Sequence, residues 1–186
     1  MAEFPVKIWL AAVKWPLTFF FNRFVLRRTR LRATPAFAAW ATAAAAGGPP
    51  AIATAVKTRV RYANDPFGGL LDYVAAPEVT WARGWGDCDD FSYLTAEVLR
   101  RAGVECWIAT YVCWNVKDSH VVCLFRLGER YALLDQGELR MDLASLAEAA
   151  REARPTATVA AQYVRPYLAE AIGRWFSRPP VAAAKE

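Results

Sequence analysis

Residues 86 to 103 read GDCDDFSYLTAEVLRRAG, and this stretch decides the fold. Asp87 can cap a helix, Asp89 and Asp90 place negative charge in its first turn where the helix dipole favours it, and Gly103 supplies a terminator. Between them Phe91, Leu94, Val98, Leu99 and Ala102 recur at helical spacing, which predicts one buried stripe. The helix therefore begins at Cys88. Backbone N–H groups at a helix start favour thiolate and can donate to an oxyanion, whereas Asp87, Asp89 and Asp90 repel thiolate. Activation must then rest on a partner, and an imidazole is the usual one.

The chain holds a single histidine, His120, 32 residues after Cys88. Histidine is the side chain whose ordinary pKa falls near neutrality, so any proton carrier at that pH is already identified. Three runs rich in Val, Ile, Tyr, Trp and Cys follow the helix, Val104 to Trp114, Ser119 to Leu127 and Arg130 to Gln136, and read as strands. Gly128-Glu129 fits a two-residue hairpin loop with glycine first. If it is the loop, Leu127 pairs with Arg130 and paired residue numbers add to 257. Asp135 then lies opposite Val122, on the same face as His120 and about 7 to 8 Å from it diagonally, a gap the two side chains can close. A slip of one residue puts them on opposite faces.

The order Gly86-Asp87-Cys88-Asp89-Asp90-Phe91 and helix, then Ser119-His120 opening one strand and Tyr131 to Asp135 on the next, resembles the transglutaminase-like branch of the papain-like cysteine enzymes, of bacterial or phage type. The lead-in Val60-Arg61-Tyr62, Asp65, Pro77 and Gly84 is similar too. The resemblance covers roughly residues 52 to 140 and implies an α+β fold, a papain-like core with the cysteine at a helix N-terminus packed on an antiparallel sheet; the N-terminal helical arm expected here lies outside it. The resemblance implies Cys88 as nucleophile, His120 as general base and then acid, and Asp135 as the orienting carboxylate. The short stretch before Cys88 departs from the papain pattern in having no Gln to serve as oxyanion donor. Trp81 and Trp85 are the candidates for that donor, with aromatic packing the competing use of each.

The formal charge of +5 belongs to one end of the chain. Residues 1 to 33 hold Lys7, Lys14, Arg23, Arg27, Arg28, Arg30 and Arg32 against Glu3, a net of +6, which leaves −1 for the rest. Ile8 to Phe21 is apolar but contains Lys14 and Pro16 and is shorter than the roughly 20 residues of a membrane span. Its arginines follow the apolar run, the reverse of a secretory signal, so a cleaved signal is not expected. An aromatic, basic arm suits a membrane interface or a groove on a protein assembly. Nucleic acid is the weaker alternative, since no basic face continues beyond the arm. Gly47-Gly48-Pro49-Pro50 should break any incoming helix and mark a boundary. The scheme is an arm and linker over 1–50, a catalytic core over 51–140 and a helical extension over 141–186, with Asp142 capping one helix and Pro166 to Phe176 forming another.

Cys106, Cys113 and Cys123 fall in apolar strand runs and read as reduced core thiols. No CxxC or HxxxH spacing occurs, so neither a metal nor any other cofactor is expected. The leading expectation is a thiol enzyme that hydrolyses an amide or peptide bond of a peptide or protein through Cys88, His120 and Asp135. The alternative is a structural or assembly protein, such as a virion component, that keeps the fold and docks by its arm.

Overall fold

The computed structural model describes residues 35–64 and 74–168. Expectations for Ile8 to Phe21, for the arginines up to Arg32 and for the turn after Asn64 fall outside those residues. The alanine-rich stretch forms α1 (Pro35–Ala46), which buries Phe37, Ala41 and Ala44. α2 (Gly48–Arg59) starts after a single turn residue and buries Ile52, Ala53 and Val56. The Gly-Gly-Pro-Pro run thus ends one helix and opens the next. Proline in a first turn loses no hydrogen bond, because those N–H groups have no partner within the helix.

β1 (Arg61–Tyr62) pairs in parallel with β2 (Trp85–Gly86), and α3 (Pro77–Arg83) leads into β2 through Gly84, whose φ of 70° ends the helix. α4 (Cys88–Arg101) follows at once, with Asp87 at its N-cap. It buries Phe91, Leu94, Val98 and Leu99 as the spacing predicts, while Ala102 lies past its end and is exposed.

β3 (Cys106–Cys113), β4 (His120–Leu127), β5 (Arg130–Asp135), β6 (Glu138–Leu143) and β7 (Val159–Pro166) form one antiparallel sheet in the order β6-β5-β4-β3-β7. α5 (Leu146–Glu152) lies between β6 and β7 in the chain. The fold is α+β. Alternate residues of β4 face two cores. Cys123 and Phe125 pack with Phe37, Ile52, Val56, Leu94 and Val98 from the helices, whereas Val122 and Leu124 pack with Tyr111, Leu133, Ala149 and Ala150 on the α5 side.

Several expectations change here. Residues 35–46 are part of the main core, with Phe37 fully buried, and the boundary placed at residue 50 falls inside α2. Residues 141–168 supply the end of β6, α5 and the edge strand β7 rather than helices alone. Asp142 sits in β6 at a φ of 65°, and Ser145 caps α5 by accepting from the Glu148 N–H. Pro166 ends β7, an edge position where its missing N–H is tolerated. Among the described residues no helix is long and apolar enough to cross a membrane.

Candidate active site

The hairpin register is the one the loop predicts: Leu127 pairs with Arg130 and Cys123 with Leu134. Gly128 takes a φ of 58°, as the first position of a type II′ loop requires, and Glu129 does not. His120 and Asp135 therefore meet. Nε2 of His120 lies 2.9 Å from both Oδ1 and Oδ2 of Asp135. That contact fixes the tautomer: Nε2 carries a proton toward the carboxylate, and Nδ1 is left for other chemistry. The imidazole is 19% exposed and the carboxylate 33%, so the pair is partly open to solvent.

Cys88 is the first residue of α4 and is partly exposed, while Cys106, Cys113 and Cys123 are buried free thiols. Burial pushes the Cys113 and Cys123 thiols up, which makes them less reactive still. The first turn of α4 is held to the sheet by Ser92, whose hydroxyl lies 2.7 Å from the Cys88 carbonyl and 2.9 Å from the Val121 carbonyl. Val121 is the residue after His120, so the helix start and the start of β4 adjoin.

Asp90 anchors the approach to Cys88. It is fully buried, and its carboxylate accepts from the Ala75 N–H at 3.0 Å, the Thr80 hydroxyl at 3.2 Å, the Asp87 N–H at 3.4 Å and the Arg83 guanidinium. One side chain thereby ties the segment before α3, α3 itself and the cap of α4 together. Gly86 makes room for it, since a Cβ there would meet the Asp90 Cβ at 2.5 Å. Burial raises the Asp90 carboxyl to about 6, with Arg83 the main opposing influence. Asp89 is pushed well above the usual carboxylate range, by burial first and then by the charges of Asp90 and Asp87.

Asp87, Asp89 and Asp90 bring one oxygen each to within 4.8 Å of one another, a donor set that could hold a cation. The Oδ1 atoms of Asp87 and Asp89 are buried without a hydrogen-bond partner among the described residues. The sequence shows these carboxylates as a cap, as first-turn charges and as groups opposing thiolate, but not as a buried cluster, because their burial is a property of the fold. Nor does it single out Ser92, Thr80 or Arg83; Gly86, a glycine abutting the cap, is the one available signal.

Trp81 packs against Phe37 and Trp40 with ring centroids 5.7 and 6.1 Å away, and the Arg59 guanidinium lies 4.7 Å from its ring centroid. Its Nε1 is buried with no hydrogen-bond partner among the described residues. Trp85 carries the Arg83 guanidinium over its ring at 4.1 Å.

A family described as a transglutaminase-like domain (DUF553) matches residues 48–161, more than half of the chain. The chain belongs to that family. The match begins at the first residue of α2 and runs into β7, so it takes in β6 and α5, beyond the stretch that the motifs alone suggest. Among solved structures this transglutaminase-like domain is similar to Legionella pneumophila LapG, at a TM-score of 0.51 and 16% identity over 88% of this chain and 94% of that one. An EGTA-treated form of LapG gives a TM-score of 0.50 at 15% identity, over 88% of this chain and 94% of that one. A calcium-bound form gives 0.49 at 17%, over 81% and 84%. At these identities the likeness is one of fold. No curated protein matches the sequence.

Proposed function

We propose that this transglutaminase-like domain is a cysteine peptidase or amidase that cleaves an amide bond through Cys88, His120 and Asp135. The observation that carries the reading is the His120 Nε2 contact with both Asp135 oxygens, on a strand that Ser92 joins at Val121 to the turn bearing the one partly exposed cysteine. The Cys88 sulfur, as thiolate, attacks the carbonyl carbon, and the C=O π electrons move to oxygen. The backbone N–H of Cys88 at the helix start is the first oxyanion donor, and the indole N–H of Trp81 or of Trp85 is the side-chain candidate. The proton that His120 took from the thiol goes to the leaving nitrogen as the C–N bond breaks. Water then adds to the thioester with His120 as base, releasing the acid and restoring the thiol. Asp135 holds the imidazole in the tautomer this requires and stabilises its cationic form.

The test is alkylation by iodoacetamide at pH 7, followed by mass spectrometry. Cys88 should react at least about tenfold faster than an ordinary thiol, whose pKa near 8.5 leaves a few per cent as thiolate, and a His120→Ala chain should lose the advantage. A Cys88 that reacts like a free thiol would count against the enzyme and favour an assembly protein docking by its basic arm.

A second reading concerns Asp87 and Asp89, whose orphaned, buried oxygens fit a hard divalent cation such as calcium, with Asp90 sharing in the site while keeping its other partners. A cation there neutralises carboxylates on both sides of the nucleophile; no bond-making step runs through it. A ligand present at about a hundredfold over its Kd stabilises by about 2.7 kcal/mol. Melting temperature in calcium should therefore exceed that in EDTA by several degrees, and Asp89→Asn should abolish the difference. Equal melting in the two conditions would remove this site.

A further inference from the structure

We infer that Ser92 is a positioning residue that sets the distance between the Cys88 turn and the His120 strand. The inference rests on the thiol–imidazole reading above. Ser92 is 2% exposed, four residues after Cys88 in α4. A serine within a helix commonly returns its hydroxyl to the carbonyl four residues back, and the 2.7 Å contact with Cys88 does that. Such a bond is local and needs nothing outside the helix. The second acceptor is different in kind: the Val121 carbonyl, 2.9 Å away, belongs to β4 and is 29 residues distant in sequence. Both distances fall in the normal range for O–H···O contacts. One proton is thus placed between the backbone of the nucleophile and the backbone next to the base.

Apart from the Tyr167 hydroxyl that reaches Glu97 near its far end, α4 rests on the sheet through apolar side chains such as Leu94 and Val98 against Cys123 and Phe125. Those apolar contacts are non-directional and fix the helix on the sheet without specifying where its first turn stops along β4. A directional O–H···O contact at that turn does specify it. Alanine at this position would leave a methyl group against the Val121 carbonyl, removing the directional contact while keeping most of the packing. A displacement of about 1 Å at a reacting pair can cost about a hundredfold in rate, far more than the same displacement costs in packing.

The experiment uses the full chain labelled with 15N-histidine, in which His120 is the sole histidine and its ring signals need no assignment. Two quantities are measured at pH 7 for the wild type, Ser92→Ala and Ser92→Thr: the iodoacetamide rate at Cys88, and the change in the His120 ring resonances when Cys88 is alkylated. In the wild type alkylation should shift the ring signals. In Ser92→Ala the rate should fall about tenfold or more and the ring response should shrink, with melting lowered by only a few degrees, whereas Ser92→Thr, which keeps the hydroxyl, should restore both. A Ser92→Ala chain that melts lower yet keeps the wild-type rate and ring response would overturn the inference and leave Ser92 as packing. A wild type with neither a fast Cys88 nor a ring response would sink the triad itself, a separate failure. Should the alanine chain not fold, Ser92→Cys, with a weak donor of similar shape, is read by the ring response alone, and an unchanged response there also overturns it.

Discussion

His120 and Asp135 meet because a two-residue loop sets the register and a two-residue side-chain period sets the face, so this pair is legible from the sequence alone. In the proposed triad the carboxylate orients the imidazole toward the thiol. Asp135→Asn keeps the shape and a hydrogen-bond acceptor but removes the charge; we expect Cys88 alkylation at pH 7 to slow by about tenfold or more, and an unchanged rate would show Asp135 to be structural. Glu97, a buried carboxylate bonded by Arg100, Arg101 and Tyr167, serves stability instead. Burial raises its pKa, but the hydrogen bonds from Arg100 and Arg101 outweigh that and hold it below its ordinary value. A depressed carboxyl stabilises the fold above its unfolded pKa, and that contribution is lost as pH falls through the folded value. Denaturant melts from about pH 6 down to about pH 3 should thus show a steeper loss of stability for the wild type than for Glu97→Gln; parallel curves would refute the linkage. What the sequence does not disclose at this scale is long-range. Ser92 reaches Val121, Asp90 reaches Ala75, and the oxygens of Asp87 and Asp89 are orphaned only because the fold closes over them.

At the scale of elements, the legible parts are those whose signals are local and ordinary: the capped helix after Gly86 and the three strands with a glycine-first loop. β6 goes unread apart from Asp142, taken as a helix cap, because its hairpin uses Gln136-Gly137, both at positive φ, 49° and 91°, where asparagine or aspartate would announce the turn. β7 escapes a local reading because its edge position lets Pro166 end a strand, and Tyr167 continues the attachment by bonding the Cys106 carbonyl through its N–H at 2.8 Å and Glu97 through its hydroxyl at 3.2 Å. The junction of β2 and α4 carries the prediction at this scale. A Cβ on Gly86 would lie 2.5 Å from the Asp90 Cβ and 2.6 Å from its Oδ2, with Asp90 held from four directions and unable to yield. Gly86→Ala should cost about 1 to 3 kcal/mol by overpacking, and should slow Cys88 alkylation as the cap shifts. Wild-type stability in that variant would mean the cap is softer than its hydrogen bonds imply.

The molecule as a whole departs from its local sequence signals in what counts as core. Glycine and proline runs are read as boundaries because they interrupt helices, yet a helix can restart at once when the prolines fall in its first turn, and nothing local tells a linker from a helix–helix corner. Here the corner folds α1 back so that Phe37 is fully buried among Ala41, Val56, Leu94 and their neighbours, with Trp40 and Trp81 packed alongside and the Arg101 guanidinium 5.1 Å over its ring. Truncating such a phenylalanine costs about 3 to 5 kcal/mol, a large share of the roughly 5 to 15 kcal/mol that holds an ordinary domain together. Phe37→Ala should therefore lower the melting temperature strongly while leaving a folded protein with the His120–Asp135 contact intact. A chain beginning at Ala51 loses α1 entirely and the opening turn of α2, uncovering Ile52, Val56 and Leu94 to water, and it should aggregate or melt without cooperativity. If that shortened chain instead melts cooperatively within a few degrees of the full one, α1 is an accessory to the transglutaminase-like domain, and the boundary belongs at the Gly-Gly-Pro-Pro run.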